Sequence, residues 1–281
     1  SAFIFTAASV SDGGQPCAIT RPRHMGAINA ASDIPMKALI LEFFRQLEKL
    51  ASKAQGKGYG TASITREIHL ARTLLGDSPI RVCIDVGGNV GNYTAGLRTA
   101  FPKADIHTFE PASVNVERLK TRFADDDHVL INAVAVSEHV GEGVLWSDQP
   151  GSGLASLGKR RLDHLGIGFE QQEAVRTIRF EDYWTNQLDR AEIDLLKLDV
   201  EGYELAALVG CGAALDHVRV IQFEFGGCNV DTRTYLRDFW HFFRERGFDL
   251  HRITPFGLQK MKDYKDRDEV FTTTNFLALR S

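Results

Sequence analysis

Cysteine is sparse in this chain, and its positions do not suit a metal site or a disulfide framework. Only four cysteines occur among 281 residues, and no two of them form a Cys-x-x-Cys pair. This pattern suggests neither zinc binding nor disulfide bonding. The cysteines are Cys17, Cys83, Cys211 and Cys228.

Long apolar runs are also missing. No stretch approaches the roughly 18 apolar residues that a membrane-spanning helix needs. Residues 1–10 are mildly apolar, but they lack the basic start of a signal peptide. We therefore expect a cytoplasmic protein without a membrane partner.

Positive charge is not in excess. The chain has 33 Lys and Arg against 37 Asp and Glu, which gives a net charge of -4. Because a surface that neutralises nucleic-acid phosphates is basic, this balance argues against nucleic acid as a partner. A hydrophobic content of 43% and a length of 281 residues are typical of one large globular domain with an appendage.

The N-terminal third of the chain divides into a leader and a helical extension. Residues 1–32 show no sustained period and contain Gly13-Gly14, so we interpret them as a leader that is flexible or partly expression-derived. Residues 33–78 predict two helices that end in glycine-rich turns, because apolar residues recur at three- and four-residue spacing. This extension could cover a sheet edge or close over a binding site.

The stretch from Ile80 to Tyr93 is the centre of the predicted domain. An apolar strand ends at Asp85, and Gly87, Gly88 and Gly91 follow before a helical pattern begins. A strand, a glycine turn and a helix in this order place backbone N–H groups against a ligand. The nicotinamide fingerprint Gly-x-Gly-x-x-Gly is absent, because Asn89 and Asn92 occupy two of its glycine positions.

Acidic residues close several of the predicted strands. From Ile80 onward strands alternate with helices, which predicts a parallel, doubly wound sheet for residues 79–281. Ligands of such sheets bind beyond the carboxyl ends of the strands. We therefore expect one acidic rim there. Its members are Asp85, Glu110 (before Pro111), Asp199 and Glu224, on strands predicted at 82–85, 105–110, 193–199 and 218–225.

Further strands are predicted at 129–136, 175–180, 248–253 and 271–279, a helix at 232–247, and irregular structure at 141–168.

Lys197 is unusual because it lies inside a buried strand. Alternation places Lys197 and Asp199 on one face of that strand, and Gln222 and Glu224 on one face of the next. A buried lysine is costly unless it is paired. If the two strands are neighbours, these residues form a polar cluster of the kind found at functional sites.

Four segments together resemble the FkbM family of S-adenosylmethionine (SAM)-dependent methyltransferases. They are Ile-Asp-Val-Gly-Gly-Asn-Val-Gly (84–91), Phe-Glu-Pro (109–111), Asn-Ala-Val-Ala-Val-Ser (132–137) and Leu-Lys-Leu-Asp-Val-Glu-Gly-Tyr-Glu (196–204). The resemblance covers about residues 82–279. It implies the Rossmann-like class I fold, with seven strands of which the last is antiparallel. It also implies transfer of a methyl group to a hydroxyl of a small molecule such as a polyketide or a sugar.

The resemblance also implies a set of site residues. The methionine part of SAM would be held by Asp85, Gly87, Asn89 and Gly91. Glu110 would hold the ribose hydroxyls, and Asn132 with Ala133 would lie near the adenine. Asp199, Glu201, Lys197 and Glu224 would form the catalytic group. The complete cofactor set is Asp85, Gly87, Gly88, Asn89, Gly91, Asn92, Glu110, Pro111, Asn132, Ala133 and Asp199.

Two chemical routes and three functions are compatible with these residues. A carboxylate or a histidine (His107, His164 or His217) could remove the hydroxyl proton. Alternatively, Asp199 with Glu201 or Glu224 could bind a divalent metal, which is not favoured because Lys197 already supplies positive charge. A nucleic-acid or protein methyltransferase is a second function, although Asp-Val-Glu-Gly (199–202) replaces the Asn/Asp-Pro-Pro-Tyr/Phe turn of amino-methylating enzymes. A SAM-binding protein without catalysis is the third.

Overall fold

The computed structural model describes residues 33–59 and 64–281. The predicted leader, residues 1–32, lies outside this part. The chain divides into two units, residues 1–46 and 47–281. In the first unit, residues 33–46 are helical. The eight helices of the described residues are α1 (Asp33–Ala54), α2 (Ile64–Leu75), α3 (Asn92–Ala100), α4 (Ser113–Arg122), α5 (Phe180–Gln187), α6 (Glu204–Cys211), α7 (Cys228–Thr232) and α8 (Leu236–Glu245).

The second unit is built on a mostly parallel eight-stranded sheet. Five of its strands are parallel, and β11 is antiparallel to both of its neighbours, which confirms the predicted fold class. The strand order is β10-β9-β11-β8-β7-β1-β2-β3. The strands are β1 (Val82–Val86), β2 (Asp105–Phe109), β3 (Val129–Asn132), β4 (Ala135–Val136), β5 (Gly141–Ser147), β6 (Gln171–Ile178), β7 (Ile193–Leu198), β8 (Val218–Phe225), β9 (Phe248–Thr254), β10 (Gly257–Lys260) and β11 (Thr274–Arg280).

Helices cover both faces of this sheet and bury its central strands on both sides. All six residues of β7 are buried. On one face, α5, α6 and α8 pack their apolar side chains against β7 and β8. On the other face, α2 and α3 do the same. No helix in the described parts of the chain is long and apolar enough to cross a membrane.

Helix α2 packs on a face of the sheet and not along its edge. Ile68, Ala71 and Leu75 share one side of the helix and are buried. They contact α3 and β8, an interior strand between β7 and β11. The expectation of a helix covering a sheet edge is therefore wrong for α2, because its apolar stripe fits over the middle strands.

Several element predictions differ from the structure. The strand predicted at 129–136 is interrupted where the Val134 N–H donates to the Asn132 carbonyl, and β4 then joins a second sheet of order β4-β6-β5. Residues 141–147 form β5 in that sheet and are not irregular. The helix predicted from 232 starts at Leu236, because Arg233 has a left-handed φ of 56°. The hairpin strand β10 adds an eighth strand to the seven predicted.

Candidate functional site

The glycine turn after β1 is shaped by its protein neighbours. Gly87 has a φ of 84°, and a Cβ atom there would lie 1.8 Å from the Asp199 carbonyl oxygen. The N–H groups of Gly87 and Gly88 donate to the Phe109 carbonyl at 2.9 and 3.0 Å. Gly91, also left-handed, precedes the first residue of α3. The glycines of this turn are therefore required because the ends of β1, β2 and β7 approach each other closely, and not only because a ligand would need space there.

Glu110 joins the end of β2 to the glycine turn. Its Oε2 accepts a hydrogen bond from the Asn89 N–H at 2.8 Å, and its Oε1 accepts one from the Ala112 N–H at 2.9 Å. Only 5% of the residue is exposed. Burial raises the pKa of Glu110, and the two backbone N–H groups partly oppose that rise. The carboxylate is therefore fixed at the edge of the first cavity, which is described next.

A first cavity of about 660 Å³, including its open mouth, lies beside Glu110. Of the predicted cofactor residues, Gly87, Asn89, Glu110, Pro111 and Asp199 line it. Asn132 and Ala133 do not, because the chain turns after β3 and presents the next three residues instead. The apolar part of its lining includes Val134, Ala135, Val136, Leu145 and Leu157.

The segment from Ser152 to Leu157 also contributes to the lining of the first cavity, with all of its residues except Leu154. The Ser156 hydroxyl donates to the Glu201 carbonyl at 2.8 Å. Further along this loop, Arg160 contacts the Glu201 carboxylate at 2.7 Å and Asp231 at 3.3 Å. These contacts could not be predicted from local sequence, because the partners lie 41 to 71 residues apart.

Lys197 lies beneath the rim in a buried ion-pair network. Its Nζ is 3.3 Å from Asp85 Oδ1 and 3.3 Å from Asp199 Oδ2, and 5.0 Å from the centre of the Tyr93 ring. Burial alone would lower the pKa of Lys197, but the Asp85 and Asp199 carboxylates outweigh it and raise that pKa. Asp85 is fully buried, accepts a hydrogen bond from the Thr94 hydroxyl at 2.7 Å, and lines neither cavity. Asp85 therefore stabilises the charge of Lys197 from within the buried part of the sheet.

Three carboxylates meet above Lys197, where β7 and β8 end. Asp199, Glu201 and Glu224 each place one oxygen within 4.8 Å of the others. Burial and the Asp199 charge raise the pKa of Glu201 to about 7, and the same two causes raise the pKa of Glu224. Their spacing would also allow the three groups to hold a divalent cation. We name Asp199, Glu201 and Glu224 the carboxylate cluster.

The turn after β7 displays Glu201 through an unusual backbone. Glu201 has a φ of 53° and Gly202 one of 101°. Buried Glu204 holds this turn, because its carboxylate accepts hydrogen bonds from the Val200 N–H at 2.9 Å and from the Gly202 N–H at 3.1 Å. In the Asp-Val-Glu-Gly-Tyr-Glu motif, Glu204 therefore holds the turn, whereas Asp199 and Glu201 are half-buried and line the first cavity.

A second cavity, of about 830 Å³ including its open mouth, lies on the α3 side of the carboxylate cluster. Gly87, Asn89 and Asp199 line both cavities, whereas Glu201 lines only the first and Glu224 only the second. Of the other predicted residues, Gly88, Asn92 and Lys197 line the second cavity, and Gly91 lines neither. Asp199 therefore stands where the two cavities meet.

Glu67 and Tyr93 in the second cavity were not predicted. The Glu67 carboxylate accepts from Gln222 Nε2 at 2.7 Å and from Asn275 Nδ2 at 2.9 Å. The Tyr93 hydroxyl donates to Gln222 Oε1 at 2.6 Å. A signal for Glu67 exists in the sequence, since it lies three residues after Ile64 and four before Ala71, on the apolar side of α2.

No histidine of the described residues lines either cavity. His107 contacts the Tyr183 hydroxyl at 2.8 Å, and His217 contacts Glu192 at 2.7 Å. His164 is exposed. None of the three histidines considered as bases therefore lines a cavity that Asp199 also lines.

The chain matches a known family and resembles several methyltransferases. Residues 85–250, more than half of the chain, match the methyltransferase FkbM domain. The chain is 26% identical over 188 residues to the 2-O-methyltransferase NoeI of Sinorhizobium fredii (strain NBRC 101917 / NGR234), covering 63% of this chain and 76% of that protein.

Two solved structures are also similar. One is the precorrin-6y C5,15-methyltransferase of Geobacter metallireducens GS-15, with a TM-score of 0.40, 11% identity, and coverage of 77% of this chain and 87% of that one. The other is an rRNA methylase of Streptococcus thermophilus, with a TM-score of 0.41, 13% identity, and coverage of 78% and 99%. On the strength of the domain match, the chain belongs to the FkbM methyltransferase family and is a SAM-dependent methyltransferase.

Proposed function

We propose that the protein transfers the methyl group of SAM to a hydroxyl of a small molecule, and that Asp199 receives the hydroxyl proton. The observation that carries this proposal is the position of Asp199, which lines both cavities and belongs to the carboxylate cluster. The similarity to a 2-O-methyltransferase supports a hydroxyl as the acceptor. The net charge of -4 supports a small molecule over nucleic acid.

The first cavity suits the nucleoside part of SAM. The Glu110 carboxylate is fixed by two backbone N–H groups and keeps lone pairs for the ribose hydroxyls. The apolar residues Val134, Ala135 and Leu145 offer a surface for the adenine ring. When bound, SAM supplies a methyl group that is already activated, so the protein has to position the acceptor and accept a proton.

The carboxylate cluster explains how the proton is accepted. Asp199 hydrogen-bonds the acceptor hydroxyl because it alone of the three faces both cavities. Glu201 and Glu224 lie within 4.8 Å of it, and burial together with the charge of Asp199 raises the pKa of both glutamates. Lys197 and Arg160 hold Asp199 and Glu201 in position through ion pairs of 3.3 and 2.7 Å.

We expect this reaction to proceed without a divalent metal. Lys197 and Arg160 already provide the positive charges that face Asp199 and Glu201. Methyl-transfer rates should therefore be the same with and without EDTA. Loss of activity that magnesium or manganese restores would assign the carboxylate cluster as the metal site instead.

Transfer of labelled methyl groups tests the proposed acceptor. The enzyme is incubated with methyl-labelled SAM and panels of sugars, glycosides and polyketide-type alcohols, with RNA and protein as parallel acceptors. We expect label in a hydroxylated small molecule. Label in RNA or protein would support the second function, and SAM binding with no acceptor labelled would support the third.

A further inference from the structure

The second cavity extends beyond the residues that match the family. Its lining includes Glu67 on α2 and Asn275 on β11, and both lie outside residues 85–250. Only 8% of Glu67 is exposed. Neither the methyl-transfer chemistry nor the cofactor residues named above use this carboxylate.

The Glu67 carboxylate is held by neutral donors. Both of its oxygens accept from side-chain amides, those of Gln222 and Asn275, at 2.7 and 2.9 Å. Within the described residues, no salt bridge joins Glu67 to a cation, and nearby Lys197 is paired with Asp85 and Asp199. A buried carboxylate in this situation is costly, and a cation brought by a ligand would offset that cost.

The two cavities share part of their lining at the glycine turn. The Asn89 N–H that fixes Glu110 belongs to a residue lining both cavities. A ligand with its ribose on Glu110 would pass Asp199 and enter the second cavity. The amino-acid end of SAM, which carries an ammonium and a carboxylate group, would follow this path.

The second cavity offers a partner to each of these two groups. Asn92 and Tyr93, in the first turn of α3, line it, and the backbone N–H groups at a helix start favour a carboxylate. Glu67 lies on the same cavity wall as Tyr93 and is linked to it through Gln222. The arrangement matches a zwitterion better than a neutral group.

We propose that Glu67 binds the α-ammonium group of the cofactor. This inference rests on the proposed placement of SAM with its ribose on Glu110. It assigns α2, which precedes the matched domain, a direct part in cofactor recognition. Glu67 is a binding residue and takes no part in proton transfer.

Calorimetric titration with two ligands tests this assignment. S-adenosylhomocysteine (SAH) contains the amino-acid end, and 5′-methylthioadenosine lacks it. In Glu67→Gln we expect SAH to bind at least about tenfold more weakly, the effect of losing a hydrogen bond to a charged group, and methylthioadenosine to bind as in the wild type. Glu110→Gln should weaken both ligands. Glu117→Gln, at a 72% exposed side chain on α4, should change neither.

Other outcomes overturn the inference in distinguishable ways. Unchanged SAH binding by Glu67→Gln, or an equal loss of both ligands, would show that Glu67 does not contact the ammonium. If the variant fails to fold, the wild type is titrated with an SAH analogue that lacks the α-amino group. Affinity equal to that of SAH would refute the proposal, and a loss of about tenfold would support it. A wild type that binds neither SAH nor methylthioadenosine would overturn the placement of SAM itself.

Discussion

Replacing Lys197 by Met removes the charge that compensates a fully buried aspartate. The Lys197 side chain is 8% exposed, and its Nζ lies 3.3 Å from Asp85 Oδ1, whereas the Asp85 side chain is 0% exposed. Removing one member of a buried ion pair destabilises a protein by about 3–5 kcal/mol. Asp199, with 38% of its side chain exposed, can be hydrated and should add little. We therefore expect Lys197→Met to lose about 3–5 kcal/mol of unfolding free energy.

Urea unfolding with linear extrapolation measures this loss. The double variant Lys197→Met/Asp85→Asn should recover much of the stability, because no buried charge then lacks a partner. The matched control is Lys120→Met, whose ion pair with Glu117 is exposed at 57% and 72%, and it should change stability by less than about 1 kcal/mol. A loss below about 1 kcal/mol for Lys197→Met, or a double variant no more stable than the single one, would refute the reasoning.

Two further predictions concern Glu110 and Glu204. Glu110→Ala leaves the N–H groups of Asn89 and Ala112 without their acceptor, so it should lower both stability and SAH affinity by about 1–3 kcal/mol each in urea unfolding and calorimetry. An unchanged SAH affinity would show that Glu110 does not hold the ribose. Burial raises the pKa of Glu204 from 4.5 to about 7, so the folded state binds more protons than the unfolded state between these values. Stability should therefore fall as pH rises from about 4.5 to about 7, by about 3 kcal/mol from this group, and Glu204→Gln should remove that part of the slope. The same slope in both proteins would contradict the assignment.

The acidic rim could be predicted from the sequence because it follows from strand geometry alone. Side chains alternate along a strand, and parallel strands end at one edge of the sheet. Pairing of β7 with β8 places Lys197 opposite Gln222, so the inferred polar cluster is confirmed as an arrangement in space. Glu110, Asp199 and Glu224 follow the same rule and line the cavities. The expectation that Asp85 belongs to the rim is wrong, because Asp85 lies within β1, is fully buried and lines neither cavity.

The walls of the cavities could not be predicted because distant segments supply them. Arg160 and Ser156 come from a loop whose sequence has no period, and they reach Glu201 across more than 40 residues. Glu67 lies in the first turn of α2, where an acidic side chain interacts favourably with the helix dipole. Because this explains an acid at that position, the sequence does not reveal that Glu67 contacts β8 and β11. The break between β3 and β4 could not be predicted, because residues 129–136 are apolar except for Asn132. One continuous buried strand would have the same pattern.

The role of Asp199 as the proton acceptor can be tested with one variant and two readouts. Asp199→Asn keeps the shape of the side chain, and Lys197 keeps its ion pair with Asp85. We expect the variant to bind SAH as the wild type does and to lose methyl transfer by about 10²- to 10⁴-fold, the usual contribution of a general base. An Asp199→Asn enzyme that binds SAH and transfers methyl groups at the wild-type rate would contradict the placement of the reaction centre at this residue.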